Sequence, residues 1–455
     1  MGRRTIGAPK AMREMGPLEI ESVDLEAQGV AHFEGKVVFV AGALAGERVD
    51  VEVTRERPSY IKSRAIRWHR RSSDRVEPAC AHYGVCGGCS MQHVGSDAQM
   101  AIKQRVLEDA LWHIGQLRPR EVFAPIRGPS FGYRSRARLS VRWVDKKGGL
   151  ILGFRERASS YVTPLRHCPV LQSKASELLP ALRDCIAELD AARAIPQIEL
   201  AAGDGNSATV WVVRHLEALP EVDRQRLARF ADAQGVCIWL QPGGPATAAP
   251  MRPQDDQPLS YELPDFGLRM PFSPVDFTQV NFQINRVLVR RAIGLLEIEA
   301  GDRVIDFFCG LGNFSLAIAQ RAREVVGIEG SAPLVEQAMR NASELSLNER
   351  VSYKTENLFE MDETRLAGLG IFQRALIDPP REGAQALCEA LASQSQAGQG
   401  PIRMVMVSCN PATLARDAAI LVHQGKWQLS GAGIVNMFPQ TAHVESIAVF
   451  DRLLV

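Results

Sequence analysis

Neither sign of charge dominates this chain: 53 basic side chains face 52 acidic ones, for a net charge of +1. That balance excludes a global field able to draw in a polyanion, so any contact with nucleic acid has to come from local basic patches. No apolar run is long enough to span a bilayer. The first sixteen residues, MGRRTIGAPKAMREMG, carry basic side chains with no hydrophobic stretch behind them, which argues against a secretory signal. After Met1-Gly2 the sixth residue is Ile6, where a myristoylation signal has Ser or Thr, which argues against lipidation. The expectation is a cytoplasmic protein without a membrane partner. Its nine cysteines should then be reduced, metal-bound or catalytic, not a disulfide framework. No internal repeat at a solenoid period is present.

With 455 residues, 46% of them hydrophobic, the chain can bury several cores, and two to four domains are expected. Within 1–75, the short strand-like runs 18–21, 37–40 and 48–53 are punctuated by Gly29, Gly35, Gly42 and Gly46. They predict a small β-barrel. Arg64, Arg67, Arg70 and Arg71 read as a basic exit from it. Residues 76–268 form a mixed α+β region. It holds a cysteine cluster at 80–89, helical periodicity over 97–114 and again over 173–191, and a Pro, Gly and Ala-rich surface loop from Gln241. From 269 to 455 the pattern becomes a regular alternation. Strands are expected at 303–308, 324–328, 350–354, 374–377, 402–407 and 443–450, with helices at 314–321, 333–345, 384–392 and 412–423. Such alternation predicts a doubly wound α/β sheet.

Three motifs in that last region carry chemistry. The run Asp306-Phe307-Phe308-Cys309-Gly310-Leu311-Gly312-Asn313 leaves a strand and opens a helix, where Gly310 and Gly312 permit close backbone approach to a ligand. The helix amides after Asn313 can receive a carboxylate. Glu329 ends the next strand, where an acid can bind both hydroxyls of a ribose. A third glycine at the dinucleotide spacing and a phosphate-binding lysine are both absent, which favours S-adenosylmethionine over NAD or ATP. An ordinary glycine turn is the plainer reading, weakened by Glu329 in register.

The second motif is Ser408-Cys409-Asn410-Pro411. Cys409 ends a strand in a polar setting, at the edge where open α/β sheets hold their sites. Pro411 suits the first turn of the following helix. A thiol at a helix N-terminus is expected to have a lowered pKa, whereas Cys185, Cys237, Cys309 and Cys388 read as inert core residues. A thiolate suits pyrimidine methylation: uracil C5 is a poor nucleophile until a thiol adds at C6. A base must then remove the C5 proton. Glu445 interrupts an otherwise apolar final strand and is the candidate, with a solvent-facing strand residue as the other reading. The third motif, Asp378-Pro379-Pro380-Arg381, can hold Asp378 rigidly against a base edge or the cofactor. Pro-Pro also explains a plain turn.

Two further clusters stand outside this alternation. Cys80, Cys86, Cys89 and the distant Cys168 offer four soft ligands, with Gly84, Gly87 and Gly88 letting the loop wrap a metal centre. Zinc is the generic reading, while a compact three-cysteine loop with a remote Cys-Pro is closer to iron–sulfur spacing. The C-x3-C-x2-C spacing of radical enzymes is absent. In 131–143, Arg134, Arg136, Arg138 and Arg142 would share one strand face, with Lys146, Lys147, Arg155 and Arg157 following and Tyr133 or Trp143 available for stacking. A solvated charged face is the alternative.

The motifs FTQVN (277–281), DFFCGLGNF (306–314), DPPREG (378–383), SCNPATLARD (408–417) and HVES (443–446) together resemble those of the bacterial RNA 5-methyluridine methyltransferases. Within that family the likeness is to members acting on 23S ribosomal RNA, and it covers nearly the whole chain. It implies an N-terminal TRAM barrel, a four-cysteine insertion domain and a C-terminal Rossmann-like methyltransferase domain. It further implies that Cys409 is the nucleophile and Glu445 the proton acceptor, with Asp378 in the catalytic set. Gln279, Phe308, Asn313, Glu329, Asn357 and Asp378 would contact or border S-adenosylmethionine. Cys80, Cys86, Cys89 and Cys168 match the ligands of a [4Fe–4S] cluster, with zinc as the alternative. The partner would be RNA with its target uridine flipped out, the protein a monomer, and DNA no substrate. Met406 departs from the family, whose members often have tyrosine there. A cytosine-5 methyltransferase would normally carry a Pro-Cys motif or a second catalytic cysteine, and neither is evident. A non-catalytic iron–sulfur RNA-binding protein sits poorly with an intact Cys409, Asp378 and Glu445 set.

Overall fold

The computed structural model describes residues 13–453 except 206, and of Lys147 only the backbone. The expectations for Met1, Gly2 and Ile6 therefore lie outside the described residues. The chain divides into a first unit (residues 1–84, 89–102 and 440–442) and a second (85–88, 103–439 and 443–455). No helix among the described residues is long and apolar enough to cross a membrane.

The first unit is built on six strands, β1 (Glu14–Glu19), β2 (Ser22–Val23), β3 (Gln28–Phe33), β4 (Lys36–Ala41), β5 (Arg48–Glu56) and β6 (Tyr60–Arg70), in the order β1-β5-β6-β4-β3-β2. Period-two alternation sends Val38 and Val40 of β4, and Val49 and Val51 of β5, into one core with Ile20 and Ile61. The basic exit is corrected here. Arg64, Arg67 and Arg70 lie within β6, and across β5 and β1 they meet acids: Arg64 with Glu52 (2.5 Å), Arg67 with Asp50 (3.4 Å), and Arg70 with Glu19. Cross-strand pairing of opposite charges stabilises the sheet and neutralises most of that basic run.

In the second unit, α1 (Ser96–His113), whose residues from Lys103 onward belong here, precedes β7 (Glu121–Val122), β8 (Arg136–Val144) and β9 (Gly149–Gly153). The expected helix over 173–191 is two, α2 (Ser173–Glu177) and α3 (Leu179–Ala187), because Pro180 cannot continue a helix and instead opens the next one. Then follow β10 (Gln197–Ala202), β11 (Thr209–Arg214), α4 (Glu221–Gln234), β12 (Cys237–Gln241), β13 (Ala249–Pro250) and the hairpin β14 (Leu259–Leu263) and β15 (Leu268–Phe272). These make one sheet in the order β13-β12-β11-β10-β8-β9, with the hairpin separate. The Pro and Gly-rich segment from Gln241 is tied down: Arg252 grips Asp255 (2.9 Å) and the Trp239 indole donates to the Asp255 carbonyl (3.0 Å).

The methyl-transfer motifs sit on α5 (Phe282–Leu296), β16 (Arg303–Phe307), α6 (Ser315–Ile318), β17 (Glu324–Glu329), α7 (Ala332–Glu344), β18 (Val351–Thr355), α8 (Glu363–Gly368), β19 (Arg374–Ile377), α9 (Gln385–Gln396), β20 (Arg403–Ser408), α10 (Pro411–Ala419), β21 (Trp427–Val435) and β22 (Glu445–Arg452). The sheet order is β18-β17-β16-β19-β20-β22-β21-β7. β18 through β20 are mutually parallel, and β22 runs antiparallel between β20 and β21. Strands such as Met404-Val405-Met406-Val407 are buried on both faces, which is why they read as continuous apolar runs. The direction of travel reverses at β16, between β17 and β19. In such sheets the crevice beyond the strands' carboxyl ends at that reversal is where ligands bind.

Candidate active site

The crevice is a cleft of about 500 Å³. Every position the motifs single out for cofactor or chemistry lines it: Gln279, Phe308, Asn313, Glu329, Asn357, Asp378, Cys409 and Glu445. They arrive from seven separate segments, and Glu445 lies 166 positions after Gln279.

The turn after β16 shows why its glycines are needed. Phe308 has φ +63° and Gly310 φ +55°, left-handed values that a bulky side chain adopts only under constraint. The Phe308 ring is held edge-on to Phe359, 5.8 Å between centroids. At Gly312 (φ +94°), a Cβ would come within 2.7 Å of the Tyr353 hydroxyl oxygen. Glu329 holds the turn from the neighbouring strand: one carboxylate oxygen accepts the Gly310 amide (3.1 Å) and the other the Ser331 amide (2.9 Å). Asn313 is fixed by Asn285 in two reciprocal bonds (2.9 and 3.0 Å) and accepts the Tyr261 hydroxyl (2.8 Å). The expected amide site after Asn313 is corrected: α6 has four residues, too short to present the aligned free amides of a helix N-terminus.

Across the cleft stand the thiol and the carboxyls. Cys409 follows β20, and Asn410 caps α10 by accepting the Ala412 amide (3.1 Å). The thiol expectation is reversed. Burial pushes Cys409 up to about 11, and the Glu445 and Asp378 carboxyls push the same way, against the opposing pull of Arg381. Burial and two near carboxyls outweigh the partial charge of one helix end. Glu445 is 3% exposed, so it is not a solvent-facing strand residue. Burial, then Asp378, raises it well above the usual carboxylate range. Burial raises Asp378 to about 7. Met406 is buried inside β20.

Tyr261, Phe277, Phe438 and His443 also line the cleft and were not among the site residues expected from sequence. Phe277, 72% exposed, is the signal that was there to read, a large ring left in water at the head of FTQVN. Arg381, quoted only as part of the Asp-Pro-Pro-Arg turn, donates to His443 Nδ1 (3.0 Å). Burial and then Arg381 push His443 below its usual range, consistent with an unprotonated Nδ1 able to accept that bond.

The basic strand keeps its predicted face but not all its charges. Arg136, Arg138 and Arg142 alternate with buried Ala137, Leu139 and Val141. Arg136 turns inward to the Pro274 carbonyl (2.6 Å) and that of Asp276. Tyr133 is buried and donates to the Pro439 carbonyl (2.9 Å), so it is no stacking platform. Trp143 lies under Arg193, 4.8 Å from guanidinium carbon to ring centre. Arg138, Arg142 and Lys146 remain exposed. Of the four cysteines read as metal ligands, Cys86 and Cys168 are buried, and Cys80 and Cys89 half-buried. Among the described residues no group of three or more His, Cys, Asp or Glu side chains is placed to hold a metal ion, so no chemistry is routed through a cluster.

A largely parallel sheet reversing at β16, a glycine turn faced by an acid, and a thiol beside a buried and a half-buried carboxyl define a Rossmann-like methyltransferase. The chain belongs to the tRNA (uracil-5-)-methyltransferase family, whose model matches residues 96–453, and a TRAM domain matches residues 14–66. It is 56% identical over 433 residues to the 23S rRNA (uracil(1939)-C(5))-methyltransferase RlmD of Aromatoleum aromaticum, covering 95% of this chain and 99% of the relative. The same-named protein of Bordetella bronchiseptica is 55% identical, covering 96% and 93%. In fold, the chain matches the tRNA (uracil-54, C5)-methyltransferase of Pyrococcus abyssi in complex with S-adenosyl-L-homocysteine. The TM-score is 0.70 at 22% identity, covering 95% of this chain and 99% of that one.

Proposed function

We propose that this protein transfers the methyl group of S-adenosylmethionine to C5 of a uridine in 23S ribosomal RNA. The observation that carries the reading is the convergence of Cys409, Glu445 and Asp378 on the cleft that also holds Glu329 and Asn357. Glu329 and Asn357 would meet the ribose and adenine end of the cofactor, and Gln279, Phe308, Asn313 and Asp378 would contact or border it. The Cys409 thiol gives up its proton to solvent, the sulfur adds to C6 of the uracil, and the ring electrons move toward O4. Asp378 keeps its proton into the neutral range and donates toward that oxygen. C5 then attacks the methyl carbon, the carbon–sulfonium bond breaks, and S-adenosylhomocysteine is left. Glu445, having given its own proton to solvent, takes the proton from C5 as a carboxylate, the C5–C6 double bond re-forms, and the sulfur leaves. A thiol held near 11 is a poor thiolate at neutral pH, so the step gains from cations beside it: Arg381 and the sulfonium itself.

The target base has to leave its stack to reach this cleft. The exposed Phe277 ring suits stacking on it, and Arg138, Arg142 and Lys146 suit the backbone phosphates. Ribosomal RNA is preferred over transfer RNA because the relatives above 50% identity are named for 23S rRNA. The wider reading keeps three domains, 1–75, 76–268 and 269–455, in a cytoplasmic monomer that does not act on DNA. The test is Cys409→Ala. It should abolish methyl incorporation and covalent trapping on 5-fluorouridine 23S fragments, yet keep RNA binding. Full turnover by that variant sinks the mechanism. A transfer RNA methylated in preference to the 23S fragment overturns the target.

Cys80, Cys86, Cys89 and Cys168 are proposed as ligands of a [4Fe–4S] cluster, with zinc the alternative, on the chemistry of four thiols alone. Protein purified without oxygen should then be brown with about four irons per chain. Colourless protein with one zinc overturns the cluster.

A further inference from the structure

The connection from β21 to β22 carries Phe438 to the wall of the cleft and leads to His443 and Glu445. Its residues 437–439 have no ladder of their own. Each of their three carbonyls instead receives a side-chain donor from a distant element: Asn281 to Met437 (3.4 Å), Lys103 to Phe438 (2.9 Å) and Tyr133 to Pro439 (2.9 Å). Lys103 makes the second grip as well, donating to Asn436 Oδ1 (2.9 Å).

Lys103 is unusual among the three. It is 1% exposed on α1, and its two acceptors, Asn436 Oδ1 and the Phe438 carbonyl, are neutral amide oxygens, not carboxylates. A buried ammonium on such partners is costly, and burial lowers it to about 7. A methionine would fill the space without that cost. The cation also acts on His443, where it and Arg134 add to burial and Arg381 in disfavouring the protonated ring. His443 packs on Phe438, 5.6 Å between ring centres, and accepts from Arg381, which faces Cys409 and Glu445.

We propose that Lys103 is a positioning residue for methyl transfer: by gripping Asn436 and the Phe438 carbonyl it fixes the Phe438–His443 wall and, through it, Arg381. The inference rests on the reaction proposed above. It assigns Lys103 to the substrate-base side of the cleft and not to the cofactor side, where Glu329 and Asn357 stand.

The test uses the full chain. Lys103→Met keeps the apolar stem and removes the donors. It should bind S-adenosylhomocysteine within about twofold of the parent, while kcat on uridine RNA falls about tenfold, the scale of a small misplacement. Lys103→Arg, with donors restored, should recover part of that loss. Amide exchange at 436–438 should quicken in Lys103→Met, a readout that needs no turnover. Unchanged exchange, or parental kcat, overturns the assignment, and so does cofactor affinity falling in step with kcat. Should Lys103→Met fail to fold, Asn436→Ala removes half the grip, and parental kcat there is equally fatal. Quickened exchange in a protein whose parent methylates no RNA leaves this grip standing and sinks the proposed reaction alone.

Discussion

Glu445 and Cys409 line one cleft; Glu445 makes the charged form of Cys409 harder to reach, and Asp378 does the same to both. Two acids and a thiol so placed act in sequence, because all three cannot be ionised together. The carboxyl that keeps its proton longest is the stronger base once ionised, but it must give up its own proton before it can take the one on C5. Glu445→Gln should therefore leave sulfur addition and methyl transfer intact and block release. Gel-stable RNA–protein adduct should accumulate with ordinary uridine RNA, without any fluorinated base. Free product at the parental rate would remove Glu445 from the role. The polar residues of the site were legible because their types are rare in apolar strands. Their proton affinities were not, since those depend on neighbours that sequence spacing does not bring into view.

At the scale of elements, the turn 378–383 is bolted to the helix that follows the thiol. The Arg381 carbonyl accepts Asn410 Nδ2 (3.1 Å) and Thr413 Oγ1 (3.3 Å). The Glu382 carbonyl accepts Arg416 (2.9 Å), and the buried Asp417 accepts the Ala384 amide (2.7 Å). Gly383 sits under this clamp with φ +80°, where any side chain meets Arg416 and Asp417. Gly383→Ala should cost about 1–3 kcal/mol of stability and slow methyl transfer by loosening the turn. Denaturant melts and initial rates measured together check both. Other elements show what was hidden. β21 went unread because Gly431 and Gly433 look like turn residues. In the fold they clear space for Phe123, whose carbonyl would lie 2.7 Å from a Cβ at Gly433. α5 also went unread, although its signals are local: Asn281 caps it at Ile284, and Leu288, Ala292 and Leu296 recur on one buried face.

For the whole molecule, the buried acids make stability depend on pH. Asp306 and Asp378 are both raised by burial to about 7. Asp306 has a single short bond from Ser315 (2.5 Å), and its other oxygen is buried with no partner among the described residues. Between the ordinary carboxylate range and about 7, the folded state binds more protons than the unfolded one, so stability falls as pH rises through that window. The melting temperature of cofactor-free protein should drop from pH 5 to pH 8, and Asp306→Asn should flatten the slope. A melting temperature that climbs over the same range contradicts the assignment of both acids.

The order of residues alone determined the alternation of strand and helix, the glycine turn, the thiol and the acids, because each is a local pattern of residue type and spacing. Only the tertiary structure decided the rest: that Cys409 is held protonated, that Tyr133 and Arg136 face inward, and that Lys103 grips a loop more than three hundred residues away. Burial and Coulomb forces act between groups that are close in space, and the fold alone makes distant stretches of chain into neighbours.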